Sequence, residues 1–227
     1  MMKSPRQVNF DRIAPVYDLL AKLTFGKTIR KVQQHYLSLI PAHSRILIIG
    51  GGTGWILTDI LSLRKNLQHI TYLEASAAML EQADKKLTAY KALHTDSNFP
   101  AITFIQGTED NIPQHNFYDV VITNFFLDIF DDTELQEVMM KLSRSLHPEG
   151  IWLFSDFNIC EKPMNAWWQR LLIRVMYWFF KMSCHLNPVS LPDFGRIFYQ
   201  LGFIQTHSRY FFHDMMVTRI YGKADLP

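Results

Sequence analysis

With 227 residues and a formal net charge of +2, the chain is long enough for one domain with a sizeable core and too nearly neutral to argue for a nucleic-acid partner. Apolar residues make up 48% and aromatic residues 14% of the whole, which excludes a disordered polymer. Cys160 and Cys184 form neither a C-x-x-C pair nor part of a ligand cluster, so two reduced thiols are expected rather than a metal site.

The opening Met-Met-Lys-Ser-Pro-Arg runs into polar sequence without the apolar core of a signal peptide, so a cytoplasmic location is expected. Residues 10–40 read as helical, ending at Pro41, and make an N-terminal helical cap of residues 1–44. Short apolar runs then alternate with helical periods. That alternation predicts an α/β fold, a Rossmann-like and mostly parallel seven-stranded sheet with helices on both faces. Strands are expected at 45–49, 69–73, 102–106, 118–123 and 151–155. Ile56, Leu57, Ile60 and Leu61 make one helical face; Met79, Leu80, Ala83 and Leu87 make another behind Ser76 as N-cap. A third face runs through Leu135, Val138, Met139, Leu142 and Leu146, with Asp131 and Glu134 as a capping box and His147-Pro-Glu-Gly150 as its stop. An aromatic helix at 163–187 lies in an insertion at 160–190, and 202–223 supply two more strands. One domain spans residues 1–227.

The most telling stretch joins the first strand to its helix. Gly50, Gly52 and Gly54 give G-x-G-x-G, and Trp55 stands where a dinucleotide fingerprint needs its third glycine. No Lys-Ser or Lys-Thr follows, which excludes a triphosphate-binding loop. G-x-G-x-G after strand one is the pattern of S-adenosylmethionine (SAM) enzymes; a tight turn with no ligand is the blander reading. Glu74, at the end of strand two, stands where an acid can accept both ribose hydroxyls, or it is a solvated surface charge. Gly107-Thr-Glu-Asp-Asn-Ile-Pro113 and Asn124-Phe-Phe-Leu-Asp128 follow strands three and four, at the edge where the ligand crevice of such sheets lies.

The chain resembles the class I SAM-dependent methyltransferases, in particular the group of ubiquinone/menaquinone-biosynthesis methyltransferases and their small-molecule relatives. The resemblance is carried by Phe10-Asp-Arg-Ile-Ala-Pro-Val-Tyr-Asp18, Ile46-Leu-Ile-Ile-Gly-Gly-Gly-Thr-Gly54, Leu73-Glu-Ala-Ser-Ala-Ala-Met-Leu80, Phe117-Tyr-Asp-Val-Val-Ile122 and Leu146-His-Pro-Glu-Gly150. It implies that Gly50, Gly51, Gly52 and Gly54 line the methionine end of SAM and that Glu74 binds the ribose. It places Ala75 and Met79 beside adenine, Thr108 and Glu109 at its edge, Asn124 near the sulfonium, and Tyr17 over the cofactor. Two positions depart from the family: Gly51 replaces the usual Cys, and Thr108 the usual Asp, a contact that Glu109 or Asp110 would have to supply. Leu20-Ala21 stands in place of the quinone enzymes' Met-Asn, so quinone C-methylation is not assigned.

Methyl transfer from a sulfonium needs alignment and, where the acceptor carries a proton, a base. Asp128 is the candidate; the plainer alternative is a helix cap or a surface carboxylate. The nine histidines show no metal triad and no Ser-His-Asp order. Asn-Phe-Phe-Leu after strand four differs from the Asn/Asp-Pro-Pro-aromatic loop that positions a flipped base, against a nucleic-acid substrate. Within the aromatic helix Arg170, Arg174 and Lys181 form a stripe, which argues against a membrane span. That helix reads as a lid over an apolar substrate, as an interfacial helix touching a membrane or partner, or as a packed surface helix. Three functions remain: methyl transfer to a small, lipophilic or aromatic acceptor, a SAM-fold binding protein without turnover, and a nicotinamide oxidoreductase.

Overall fold

Four consecutive aliphatic side chains leave strand β1 (Arg45–Ile49) no face for water, and both faces are covered. The computed structural model describes residues 25–63, 65–95, 98–113, 117–158, 167–174 and 191–224. Helix α1 (Thr28–Gln34) precedes β1; α2 (Trp55–Ser62), β2 (His69–Glu74), α3 (Ala77–Leu93), β3 (Ala101–Gln106) and β4 (Tyr118–Asn124) follow it. Then come α4 (Asp132–Ser145), β5 (Leu146–Phe157), α5 (Phe194–Gln200), β6 (Phe203–Phe211) and β7 (Met216–Lys223). The seven strands lie in the order β3-β2-β1-β4-β5-β7-β6. β1 to β5 pair in parallel, and β7 runs antiparallel to both β5 and β6.

On one face Ile46 and Ile48 pack with Ile56, Leu57 and Ile60 of α2 and with Ala83 and Leu87 of α3. On the other, Leu47 and Ile49 meet Leu135, Val138, Met139 and Leu142 of α4 and Phe194 and Phe198 of α5. Each such side chain, fully buried, contributes about 1.5–3 kcal/mol of transfer free energy. Local chemistry sets the helix starts as expected. Ser76 Oγ accepts the Met79 N–H at 3.1 Å, and Asp131 Oδ1 accepts those of Thr133 and Glu134 at 3.1 and 3.0 Å.

Two elements differ from expectation. The cap is not one helix up to Pro41: α1 stops at Gln34, and a separate 3-10 turn, Leu37–Leu39, precedes Ile40. A residue before proline is pushed out of helical geometry, and Ile40 sits at ψ 123°. β5 begins at Leu146 rather than 151, because its pairing with β4 jumps from Tyr118–Leu146 to Val120–Ile151. That irregularity absorbs Pro148 and Gly150, which the sequence marks as a stop. Tyr17, residues 1–24 and most of the 160–190 insertion lie outside the described residues.

Candidate active site

At the carboxyl end of β1 the chain turns through Gly50, Gly52 and Gly54 at φ 64°, 63° and 93°, angles that side-chain-bearing residues adopt only under strain. The glycines serve different neighbours. A Cβ on Gly54 would stand 2.6 Å from the Ala83 backbone, so its bareness lets α2 approach α3. A Cβ on Gly50 would meet the Phe126 ring at 2.5 Å, and one on Gly51 the Tyr72 ring at 2.3 Å. Only at Gly52, among the three positive-φ glycines of this turn, does a Cβ point into open space, with nothing within 4 Å. The turn is open on that side.

Glu74 is not a solvated charge. It is 5% exposed, and its carboxylate reaches back to the glycine turn, accepting the Gly52 N–H and the Ser76 N–H at 2.9 Å each. Tyr72 Oη donates to the Gly52 carbonyl at 3.0 Å. The ring that fills the room left by Gly51 therefore also pins the next peptide, which supplies a physical reason for a glycine at that departure. Ala75 is exposed beside Glu74, while Met79 is buried under the first turn of α3. Thr108 caps a short 3-10 turn, its N–H donating to Asn111 Oδ1 at 3.0 Å, and Asp110 is paired with Lys141. Glu109, half-exposed, is the acid of that loop with no ion pair among the described residues.

The ends of β4 and β5 carry a buried amide and two buried acids. Asn124 is buried, and its Nδ2 has no hydrogen-bond partner among the described residues. The next residue, Phe125, sits at φ 51°, a strained angle for an aromatic side chain. Asp128 is buried in the short turn Leu127–Ile129 and is neither a helix cap nor a surface carboxylate, since Asp131 caps α4. Its neighbour is Asp156, fully buried near the end of β5 and absent from the expectations above. Burial first, and then repulsion by Asp128, hold the Asp156 carboxyl protonated well above the ordinary carboxylate range. Its Oδ1 accepts the Phe157 N–H at 2.8 Å, and its Oδ2 is buried without a hydrogen-bond partner within normal reach among the described residues. The signal in the sequence was a lone acid closing the apolar run from Ile151 to Phe157.

An apolar cluster covers this edge. Phe25, Phe125, Phe157, Phe212, Met215 and Met216 meet Trp168, Leu172 and Ile173 from the helical residues 167–174. The 167–174 stretch is anchored to the β6–β7 turn, where Gln169 Nε2 donates to the His213 carbonyl at 2.7 Å. Phe212, His213 and Asp214 all have positive φ there, and Asn158 Nδ2 satisfies the Asp214 carbonyl at 2.8 Å. Trp55, at the position of the missing third glycine, lies between Arg30 and Lys86, whose cationic centres are 4.7 and 4.3 Å from its ring. No group of metal-ligating side chains occurs among the described residues.

Residues 46–150 match the family model for a methyltransferase domain. The domain belongs to the class I SAM-dependent methyltransferases. Malonyl-(acyl-carrier protein) O-methyltransferase of Bacillus cytotoxicus is 32% identical over 162 residues, 69% of this chain and 50% of its own. Ubiquinone biosynthesis O-methyltransferase of Rickettsia canadensis is 28% identical over 135 residues, 59% of this chain and 50% of its own. The mitomycin 7-O-methyltransferase MmcR shares the fold, with a TM-score of 0.67 at 17% identity over 95% of this chain and 61% of its own. The chain spans about half the length of the curated relatives it matches. With the family shown, SAM is the cofactor of the methyltransferase domain and the nicotinamide reading falls. No helix among the described residues is long and apolar enough to cross a membrane.

Proposed function

We propose that this methyltransferase moves a methyl group onto a hydroxyl oxygen of a small, largely apolar acceptor. The observation that carries the reading is the buried Asp128–Asp156 pair at the ends of β4 and β5, directly under an apolar and aromatic cluster. SAM supplies an electrophilic methyl on a sulfonium. Gly52 and the neighbouring turn residues Gly50, Gly51 and Gly54 would hold its methionine end, and Glu74 its ribose. Ala75, Met79, Thr108 and Glu109 would surround the adenine. Asn124 would meet the cofactor's polar end with its bare amide, which has no other partner among the described residues.

Asp128 acts as the base. It would take the hydroxyl proton as the acceptor oxygen receives the methyl group, for which SAM would supply the sulfonium leaving group. Asp156, holding its own proton, leaves the single negative charge of the pair on Asp128. Phe125, Phe157, Trp168, Leu172 and Phe212 exclude water and favour an apolar acceptor, with residues 167–174 as the cover. Two relatives whose names record O-methylation support the choice of oxygen.

A panel of phenols, aliphatic alcohols, carboxylic acids and amines, assayed with methyl-tritiated SAM, tests this. Label should enter ether or phenol-ether products, and Asp128→Asn should lower kcat by about 10²–10⁴-fold with SAM affinity kept. Transfer to amines only, or full activity in Asp128→Asn, would overturn it. SAM binding without transfer to any acceptor would favour a binding protein.

A further inference from the structure

Arg219 of β7 is a half-buried guanidinium that pairs with no carboxylate among the described residues. Its Nη1 and Nη2 donate to Tyr221 Oη and Tyr210 Oη, both at a long 3.4 Å. Its Nε is sealed from water and has no partner among the described residues. Directly opposite on β6 lies Ser208, whose Oγ is also buried and without a partner among those residues. Residues paired across an antiparallel ladder point to the same face, and alternate residues share it. Arg219, Ser208, Tyr210 and Tyr221 therefore converge.

Arginine keeps its charge at any working pH, and a desolvated cation without an anion is costly. Each tyrosine hydroxyl that accepts from the guanidinium still has its own hydrogen to give. The cluster thus offers one positive charge and four donors and contains no negative group. Asp193, the carboxylate felt at Tyr221, is used to cap α5, accepting the Arg196 N–H at 3.1 Å, and forms no ion pair with Arg219. Tyr221 is a fixed wall, stacked on Phe198 with ring centroids 3.7 Å apart. Tyr210, 45% exposed on the edge strand, is the cover that can swing aside.

We propose that Arg219, Ser208, Tyr210 and Tyr221 form a receptor for the carboxylate or phosphate group of a small molecule, separate from the SAM cradle. β7 stands three strand spacings from β1, about 14 Å, so the receptor does not overlap the glycine cradle. A bound oxyanion would take the Nε–H and the Ser208 hydroxyl, the two buried groups of the cluster without a partner among the described residues.

Calorimetric titration of the full chain with inorganic phosphate and, separately, with acetate tests the receptor. One anion per chain should bind in the millimolar range; the tighter probe identifies the group as phosphate or carboxylate. Arg219→Gln should weaken binding by about tenfold or more, and Ser208→Ala, which removes one hydroxyl and spares the packing, by a few-fold. SAM affinity should be unchanged in both variants, so a failure here is distinguishable from a failure of the methyltransferase reading. No saturable binding, or equal binding in the wild type and both variants (an adventitious ion only), would overturn the proposal.

Discussion

The proposed cofactor and proton chemistry rests on single side chains. Glu74 is held at the glycine turn by the Gly52 N–H and accepts the Ser76 N–H as well, so its carboxylate borders the cradle. Glu74→Ala should remove two charge-assisted bonds to ribose hydroxyls, each worth about 1.5–3 kcal/mol. Calorimetry with SAM checks it; a loss of affinity below about threefold would mean that the ribose lies elsewhere. The Asp128–Asp156 pair has a pH signature. Because burial and Asp128 raise the folded pKa of Asp156, the folded protein keeps a proton that the unfolded chain releases. The contribution is fully present below the ordinary carboxylate range and is lost as pH rises through the raised value. Asp156→Asn, permanently neutral, should flatten that part of the stability profile. Thermal unfolding followed against pH decides it, and an unaltered slope in the variant would contradict the buried pair. Asp128 was readable from its place after β4. Asp156 was not, because its importance comes from a neighbour 28 positions away in the chain (156 minus 128) that only strand pairing brings alongside.

Elements fit one another through close approaches that the sequence marks unevenly. Gly54 reads as a ligand glycine, yet its missing side chain is already explained by helix packing, with Ala83 in the way. Gly54→Ala should cost about 2–4 kcal/mol, combining overpacking with a left-handed backbone. Denaturant unfolding measures it; a cost below about 1 kcal/mol would show slack between α2 and α3. The strands were legible because parallel strands buried on both faces read as unbroken apolar runs, as in 46–49 and 120–122. Helix starts were legible because Ser76 and Asp131 act locally. The start of β5 was hidden because Pro148 and Gly150 look like a stop while the sheet accepts them as an irregularity. The strained turn at Phe212–Asp214 left no glycine to mark it; Gln169 and Asn158 hold two of its carbonyls.

For the whole molecule, topology places every candidate residue that the structure describes at one edge. β1, β2, β3, β4 and β5 point their carboxyl ends the same way, so the glycine turn, Glu74, the Thr108 loop, Asn124 and Asp156 gather there. β6 returns the chain to that edge, where the turn into the antiparallel β7 meets residues 167–174. The central claim is that the open space beside Gly52 is the SAM site, and matched glycines isolate it. Gly52→Ala places a methyl group in the cradle, whereas Gly202→Ala imposes a comparable strain, at φ 78° with open space, far from it in the chain. SAM titrated calorimetrically into both variants and the wild type, with circular dichroism to confirm folding, gives the test. The account predicts one SAM per wild-type chain, affinity reduced by about tenfold or more in Gly52→Ala, and no change in Gly202→Ala. Equal SAM affinity in all three proteins would contradict it.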